Sequence, residues 1–398
     1  MPVSFNLHIP SLTLDSVEST ARECAAIWRR FQEGMPAFAE LAHADTKEIE
    51  QFAREQKGKW EHVVILGMGG SSLGARAVLD AVQTRRAPVF HFLDTVDPLA
   101  VDTLFRSVRL RKTLFLVISK SGSTLETLAN FFVIREKLGK NWRKQIVIIT
   151  DSKSGYLRQL ATKEGLPSFE IPEQVGGRYS VFSPCGLLPA ALAGIRIREL
   201  LAGAREVQAS EAFHFALVQA ELFTQKRNIT VTCPYSQRLR TLGDWYAQLL
   251  AESIGKHEKI GITPESSVGP ADQHSKLQLW MEGPDDKLYL FFGVEQFVKD
   301  FNLPSKLPAE FAHLKSKSLQ AILAAELTGT VGALQEAGRP LALFDVPDLS
   351  PRSIGWLLQF FMLEVAFLGE ILGVDPYDQP GVERGKVIAK ELLQKKQK

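Results

Sequence analysis

This 398-residue chain has few cysteines, little net charge and no long unbroken apolar run, and each shortage removes a class of protein. Cys24, Cys185 and Cys233 are odd in number, widely spaced and without a CxxC pair. That leaves no disulfide framework or cysteine zinc site, and fits a reducing, cytoplasmic setting. Lys and Arg total 47 against 45 Asp and Glu, a net charge of +2. Nucleic acid is therefore not an expected partner, and the basic tail "KKQK" reads as the solvated end of a helix. No apolar run approaches the ~20 residues of a membrane span, and the opening "MPVSFNLHIPSLTLDS" lacks the basic flank and apolar stretch of a signal peptide. Two nucleotide motifs are missing too. In "GMGGSSLGA" (67–75) Ser72 stands where the third glycine of GxGxxG belongs, and no GxxxxGK[ST] occurs there. The expectation is a small-molecule protein with no cofactor and no metal.

What is present is a recurring alternation. "HVVILG" (62–67), "VFHFL" (89–93), "TLFLVIS" (113–119) and "QIVIIT" (145–150) form one set of apolar runs. "ITVTC" (229–233), "KLYLFFG" (287–293) and "LALFDV" (341–346) form a second. Continuous apolar strands followed by turns and helical patterns predict buried parallel sheets in βα units. The expected fold is α/β, with two domains, each a mostly parallel sheet flanked by helices, plus a C-terminal helical tail. Boundaries are placed at 1–55 (a helical segment), 56–175 (first sheet domain), 176–375 (linking helices and second sheet domain) and 376–398 (the tail after "DPYDQPG"). In such sheets ligands sit at the carboxyl ends of strands.

Two turns there are rich in hydroxyls. "GMGGSSLGA" offers Gly70, Ser71 and Ser72 at the start of a helix, a place suited to a small anion. "SKSGSTLET" (119–127) packs five hydroxyls, Lys120 and Glu126 behind an apolar strand. One reading is structural: Ser123-x-x-Glu126 is a capping box and needs no ligand. The other is a phosphate cradle, since Ser119, Ser121, Thr124 and Lys120 supply the short donors a phosphate monoester takes.

Both turns resemble those of the sugar isomerase (SIS) domain. Further on, "GGRYSVFSPCGLLPAALAG" (176–194), "AESIGK" (251–256), "DQHSKLQLWMEGP" (272–284) and "YDQPGVERGK" (377–386) resemble, in order, the signatures of glucose-6-phosphate isomerases of the compact bacterial form. The resemblance implies reversible conversion of glucose 6-phosphate to fructose 6-phosphate by ring opening and proton transfer through an enediol(ate). It also implies a homodimer whose active site is shared between subunits. The rivals are a related phosphosugar isomerase accepting mannose 6-phosphate and a non-catalytic SIS sensor.

That chemistry needs a base over two carbons, a cation for the oxyanion, an acid/base at the ring oxygen and a grip on phosphate. Glu252 continues the helical stripe Leu242, Trp245, Leu249, so its carboxylate should be partly desolvated and hence more basic. Read without the resemblance, it is as well a salt-bridged glutamate; with it, Glu252 is the proton-transfer base. His274 alone is an ordinary histidine, and the resemblance makes it the ring-opening residue, oriented by Glu126. Arg178 follows two glycines that permit close backbone approach, and its fixed charge suits an enediolate or, alternatively, an interdomain ion pair. Lys386 borders the apolar arc of the last helix (Val382, Ala389, Leu393). It is a surface lysine unless, as the resemblance implies, it and Gln379 face the sugar. Ile254 and Pro380 depart from the long forms, which carry Asn and Trp there.

Overall fold

The computed structural model describes residues 2–82 and 88–395. The chain opens on a strand, β1 (Ser4–His8), where a helical segment was expected; helices Leu14–Glu23, Ala25–Glu33 and Lys47–Gln56 follow it. β1 pairs antiparallel with β10 (Leu341–Val346), a strand from the far end of the sequence. A short edge strand with only partial burial carries little apolar signal, which is why it escapes the pattern.

The first sheet is wholly parallel and ordered β3-β2-β4-β5-β6, from β2 (His62–Leu66), β3 (Val89–Leu93), β4 (Thr113–Ser119), β5 (Ile146–Asp151) and β6 (Ser168–Ile171). The second adds β7 (Ile229–Pro234), β8 (Thr263–Ser266) and β9 (Lys287–Val294), in the order β1-β10-β9-β7-β8. All seven residues of β4 are buried, as a strand covered on both faces requires. β6 and β8, short and half polar, were not visible as strands in the sequence.

Side chains from one face of the first sheet (Val63, Ile65, Leu116, Ile118) join Leu290 and Phe292 of β9 and Phe344 of β10 in a single apolar cluster. The two sheets thus share a core. Through that core runs the helix Pro351–Ile371. It is 21 residues long and, at mean hydropathy 1.6, long and apolar enough to cross a membrane by length and composition. Gln359 and Glu364 interrupt its apolar run, so it did not register in the sequence as a span. In the fold 89% of its apolar window is buried inside the protein. It is a core helix.

Candidate functional site

β2 lies between β3 and β4, so the order of strands across the first sheet reverses between β2 and β4. A crevice opens at the carboxyl ends of strands at such a switch point. Both hydroxyl-rich turns border it, Gly67–Ser72 after β2 and Ser119–Thr124 after β4.

The second turn is a built cradle. Ser119 is 1% exposed, and its hydroxyl shares hydrogen bonds with Thr124 (2.8 Å) and Ser121 (3.4 Å). Thr150 donates to the Ser119 carbonyl at 2.7 Å, and Gly122 N–H closes onto the same oxygen. The following helix is Leu125–Leu138, with Thr124 at its N-cap and no side chain capping it. Its first amides and its dipole face the turn uncapped, the arrangement that attracts an anion. The capping box therefore does not form. Ser123 instead donates from N–H and hydroxyl to Ser121 Oγ (3.3 and 3.2 Å), and the helix begins a residue later than the box requires. Lys120 turns away from the hydroxyls and donates to the Glu173 carbonyl at 2.7 Å. Burial holds its ammonium below the usual lysine range, with Asp151 and Glu173 opposing.

The other wall of the crevice is the helix Arg240–Ile254. Leu242, Trp245 and Leu249 are buried, and Glu252 at the end of the same stripe keeps its carboxylate 29% exposed. Gly255 stops the helix, its N–H returning to the Ala251 carbonyl. The carboxylate meets Gln248 Nε2 at 2.9 Å and Arg178 Nη1 at 3.5 Å. Arg178 is 2% exposed and engaged on every nitrogen. Nε donates to Ser253 Oγ at 2.7 Å, Nη1 to Gln379 Oε1 at 3.3 Å, and Nη2 to the Asp378 carbonyl at 2.9 Å and to the Pro376 carbonyl. Tyr179 braces the same hydroxyl of Ser253 (3.1 Å), and burial pushes its phenol up to about 12.

The glycine turn after β2 lies directly on this arginine. A Cβ on Gly70 would sit 2.2 Å from the carbonyl carbon and oxygen of Gly177 and 2.6 Å from Arg178 N. Only glycine permits that approach. Gln248 Nε2 likewise lies 2.7 Å from where a Gly69 Cβ would be. Ser71 ends the short 3₁₀ turn Gly69–Ser71 at the crevice.

Of the residues expected from the sequence, Glu252, Arg178 and Gln379 come together, with Gly70 and Ser71 beside them and the Ser119–Thr124 cradle on the neighbouring strand. His274 and Lys386 do not join them within one chain. His274 is exposed in the first turn of helix Gln273–Glu282, and neither Glu126 nor the Glu252 cluster hydrogen-bonds its ring. Lys386 is exposed and pairs with Glu383 at 2.7 Å. Gln248 and Ser253 were missed. Gln248, one turn before the carboxylate at i−4, was detectable from helical spacing alone. Its Oε1 is buried without a hydrogen-bond partner.

A hydroxyl-lined anion cradle beside a carboxylate–arginine pair suits a small phosphorylated substrate whose other end undergoes proton transfer. The model of the phosphoglucose isomerase family matches residues 45–270 and 323–398. The chain is 39% identical over 385 residues to the glucose-6-phosphate isomerase of Carboxydothermus hydrogenoformans, covering 89% of this chain and 83% of that one. Among solved structures, a hypothetical protein of Thermus thermophilus matches with a TM-score of 0.89 and 36% identity, covering 98% of this chain and all of its own. A glucose-6-phosphate isomerase from Chlamydia trachomatis shares the fold, with a TM-score of 0.77 at 24% identity over 98% of this chain and 81% of its own. The chain belongs to the phosphoglucose isomerase family.

Proposed function

We propose that the chain is a glucose-6-phosphate isomerase, interconverting glucose 6-phosphate and fructose 6-phosphate without a metal or cofactor. The observation that carries the reading is the Glu252–Arg178 pair at the switch-point crevice, one strand from an uncapped helix start ringed by hydroxyls.

The phosphate would be held by Ser119, Ser121, Thr124 and the first amides of the Leu125–Leu138 helix, with Gly70 and Ser71 closing the opposite side. Lys120 adds positive charge to the cradle rather than a direct grip. Glu252 takes the proton from C2 as the C1=C2 bond forms and charge moves onto O1. The proton on O2 passes to O1, and Glu252 returns its proton to C1. Arg178 stabilises the enediolate through Nη1, whose two protein contacts, at 3.3 and 3.5 Å, are the loosest of its set and the easiest to exchange for an oxyanion. Its fixed charge does not depend on a proton transfer. The unpartnered Gln248 Oε1 is placed to accept a sugar hydroxyl. A coupled assay for fructose 6-phosphate, run before and after exhaustive chelation, tests this. Activity that vanishes with chelator and returns with a divalent ion would overturn the mechanism.

Ring opening is assigned to His274 and Lys386, with Glu126 orienting the histidine, across a two-fold homodimer in the cytoplasm. Support comes from the single chain: His274 stands exposed, while Glu252 meets Gln248 and Arg178. The last helix, Glu383–Lys395, leaves Val387 46% and Leu392 60% exposed. The three cysteines are free, as a reducing compartment allows. If inactive Glu252→Gln and His274→Ala chains are refolded together, about half the dimers are mixed. Each mixed dimer has one intact site, so roughly a quarter of the activity should return. A dead mixture with confirmed heterodimers would refute the shared site.

A further inference from the structure

The base helix ends at Ile254, and the chain turns sharply, with Lys256 N–H returning to the Ile254 carbonyl at 2.8 Å. The turn sends the Lys256 side chain inward, where it is only 10% exposed. Its ammonium donates to the Asp378 carboxylate at 2.8 Å and also to the Asp378 carbonyl. The same carbonyl accepts from Arg178 Nη2 at 2.9 Å. Two largely buried cations, one just past the base helix and one from the turn Gly177–Phe182, thus converge on one peptide oxygen. The neighbouring acceptors, the Pro376 carbonyl and Gln379 Oε1, are held by Arg178.

Beyond this loop the chain is loosely attached. Residues 377–388 are all exposed, and the helix Glu383–Lys395 presents its apolar side chains outward. Upstream, Pro376 is buried against Gly369 at the end of the core helix. The hold on Asp378 therefore decides where everything after it points, including Gln379 and Lys386.

We propose that Lys256 is a positioning residue: it latches the 376–379 loop, and with it the C-terminal segment, to the end of the helix that carries Glu252. The latch rests on the reading above in so far as Gln379 and Lys386 serve the sugar. One short stretch then performs three tasks. Glu252 faces the substrate, Ser253 orients Arg178, and Lys256 docks the segment that completes the site. Because Asp378 is 54% exposed, its carboxylate can be hydrated when the lysine is removed. No buried charge is stranded, and the fold should survive.

The test compares Lys256→Met and Lys256→Arg with the parent chain. Limited trypsin digestion reports cleavage at Arg384, Lys386 and Lys390, and cleavage of a transiently opened segment tracks its open population. The Met variant should be cut there about tenfold faster while its melting temperature stays close to that of the parent. Its KM for glucose 6-phosphate should rise about tenfold, with kcat reduced less, and Lys256→Arg should restore both readings. Unchanged cleavage, or an Arg variant as impaired as the Met variant, would overturn the latch. Should Lys256→Met fail to fold, Asp378→Asn removes the ion pair but not the bond to the Asp378 carbonyl, so cleavage and KM should both rise, and no change in either would overturn the latch. A parent chain without isomerase activity would sink the functional reading, while the digestion would still judge the latch.

Discussion

Gly70→Ala adds one methyl group at the contact between the two glycine turns, and the geometry sets the size of the response. The new Cβ would lie 2.2 Å from the Gly177 carbonyl carbon and oxygen, whereas carbon contacts settle near ~3.5–4.0 Å. No flexible side chain can yield, because the opposing atoms are backbone. The turns must separate by about 1 Å, and Arg178, the residue after Gly177, must move with its turn. A displacement of ~1 Å between catalytic groups costs ~10²-fold in rate, and forcing a methyl into packed backbone costs ~1–3 kcal/mol of stability. The neighbouring Gly176→Ala is the control. Its Cβ would meet the Tyr377 carbonyl at 3.6 Å and the Tyr179 ring at 3.7 Å, ordinary contacts, so a change within ~0.5 kcal/mol is expected. Saturating kcat and thermal unfolding should be measured on both variants. A Gly70→Ala enzyme keeping a tenth of parental kcat, or a Gly176→Ala enzyme equally damaged, would refute the argument that this contact sets the arginine.

Glu252→Gln should leave the fold intact and lower kcat by ~10²–10⁴, the worth of general base catalysis; a variant retaining a tenth of kcat would place the base elsewhere. Ser121→Ala with Thr124→Ala should raise KM for glucose 6-phosphate strongly, since each hydrogen bond to a charged phosphate is worth ~1.5–3 kcal/mol, and an unchanged KM would remove phosphate from the cradle. Glu364, on the core helix, is fully buried, with Tyr246 donating to one oxygen at 3.3 Å and the other unpartnered. Burial raises its carboxyl from 4.5 to about 8, so stability from the neutral form is complete at the acid end and is lost as pH rises toward 8, at up to ~1.4 kcal/mol per unit. Glu364→Gln should flatten the melting temperature across that window, and a slope identical to the parent's would assign the pH dependence to other groups.

The features legible in the sequence were those with a period. Strands buried on both faces, such as Thr113–Ser119, announced themselves by unbroken apolar runs, and Glu252 by its place on the Leu242–Trp245–Leu249 stripe. Edge strands buried on one side, β1 and β8 among them, have no such run. The capping box failed for a related reason. Its spacing is right, but the Ser123 hydroxyl is drawn to Ser121 by the fold of the turn, and the helix starts at Leu125. The state of Arg178 lay beyond any local pattern. Its partners stand 75 residues away at Ser253 and about 200 away in the 376–379 loop, and only the shared core of the two sheets brings them together. The alternatives for Arg178, an interdomain tie or an oxyanion cation, are compatible under the proposed mechanism. The guanidinium ties three segments through Nε and Nη2, and the stiffness so gained leaves Nη1, held by its two longest contacts, aimed at the space beside Glu252. A cation immobilised before substrate arrives loses no binding energy to its own reorganisation. Under the proposed mechanism, the structural bonds of Arg178 are in this sense the source of its usefulness to the reaction.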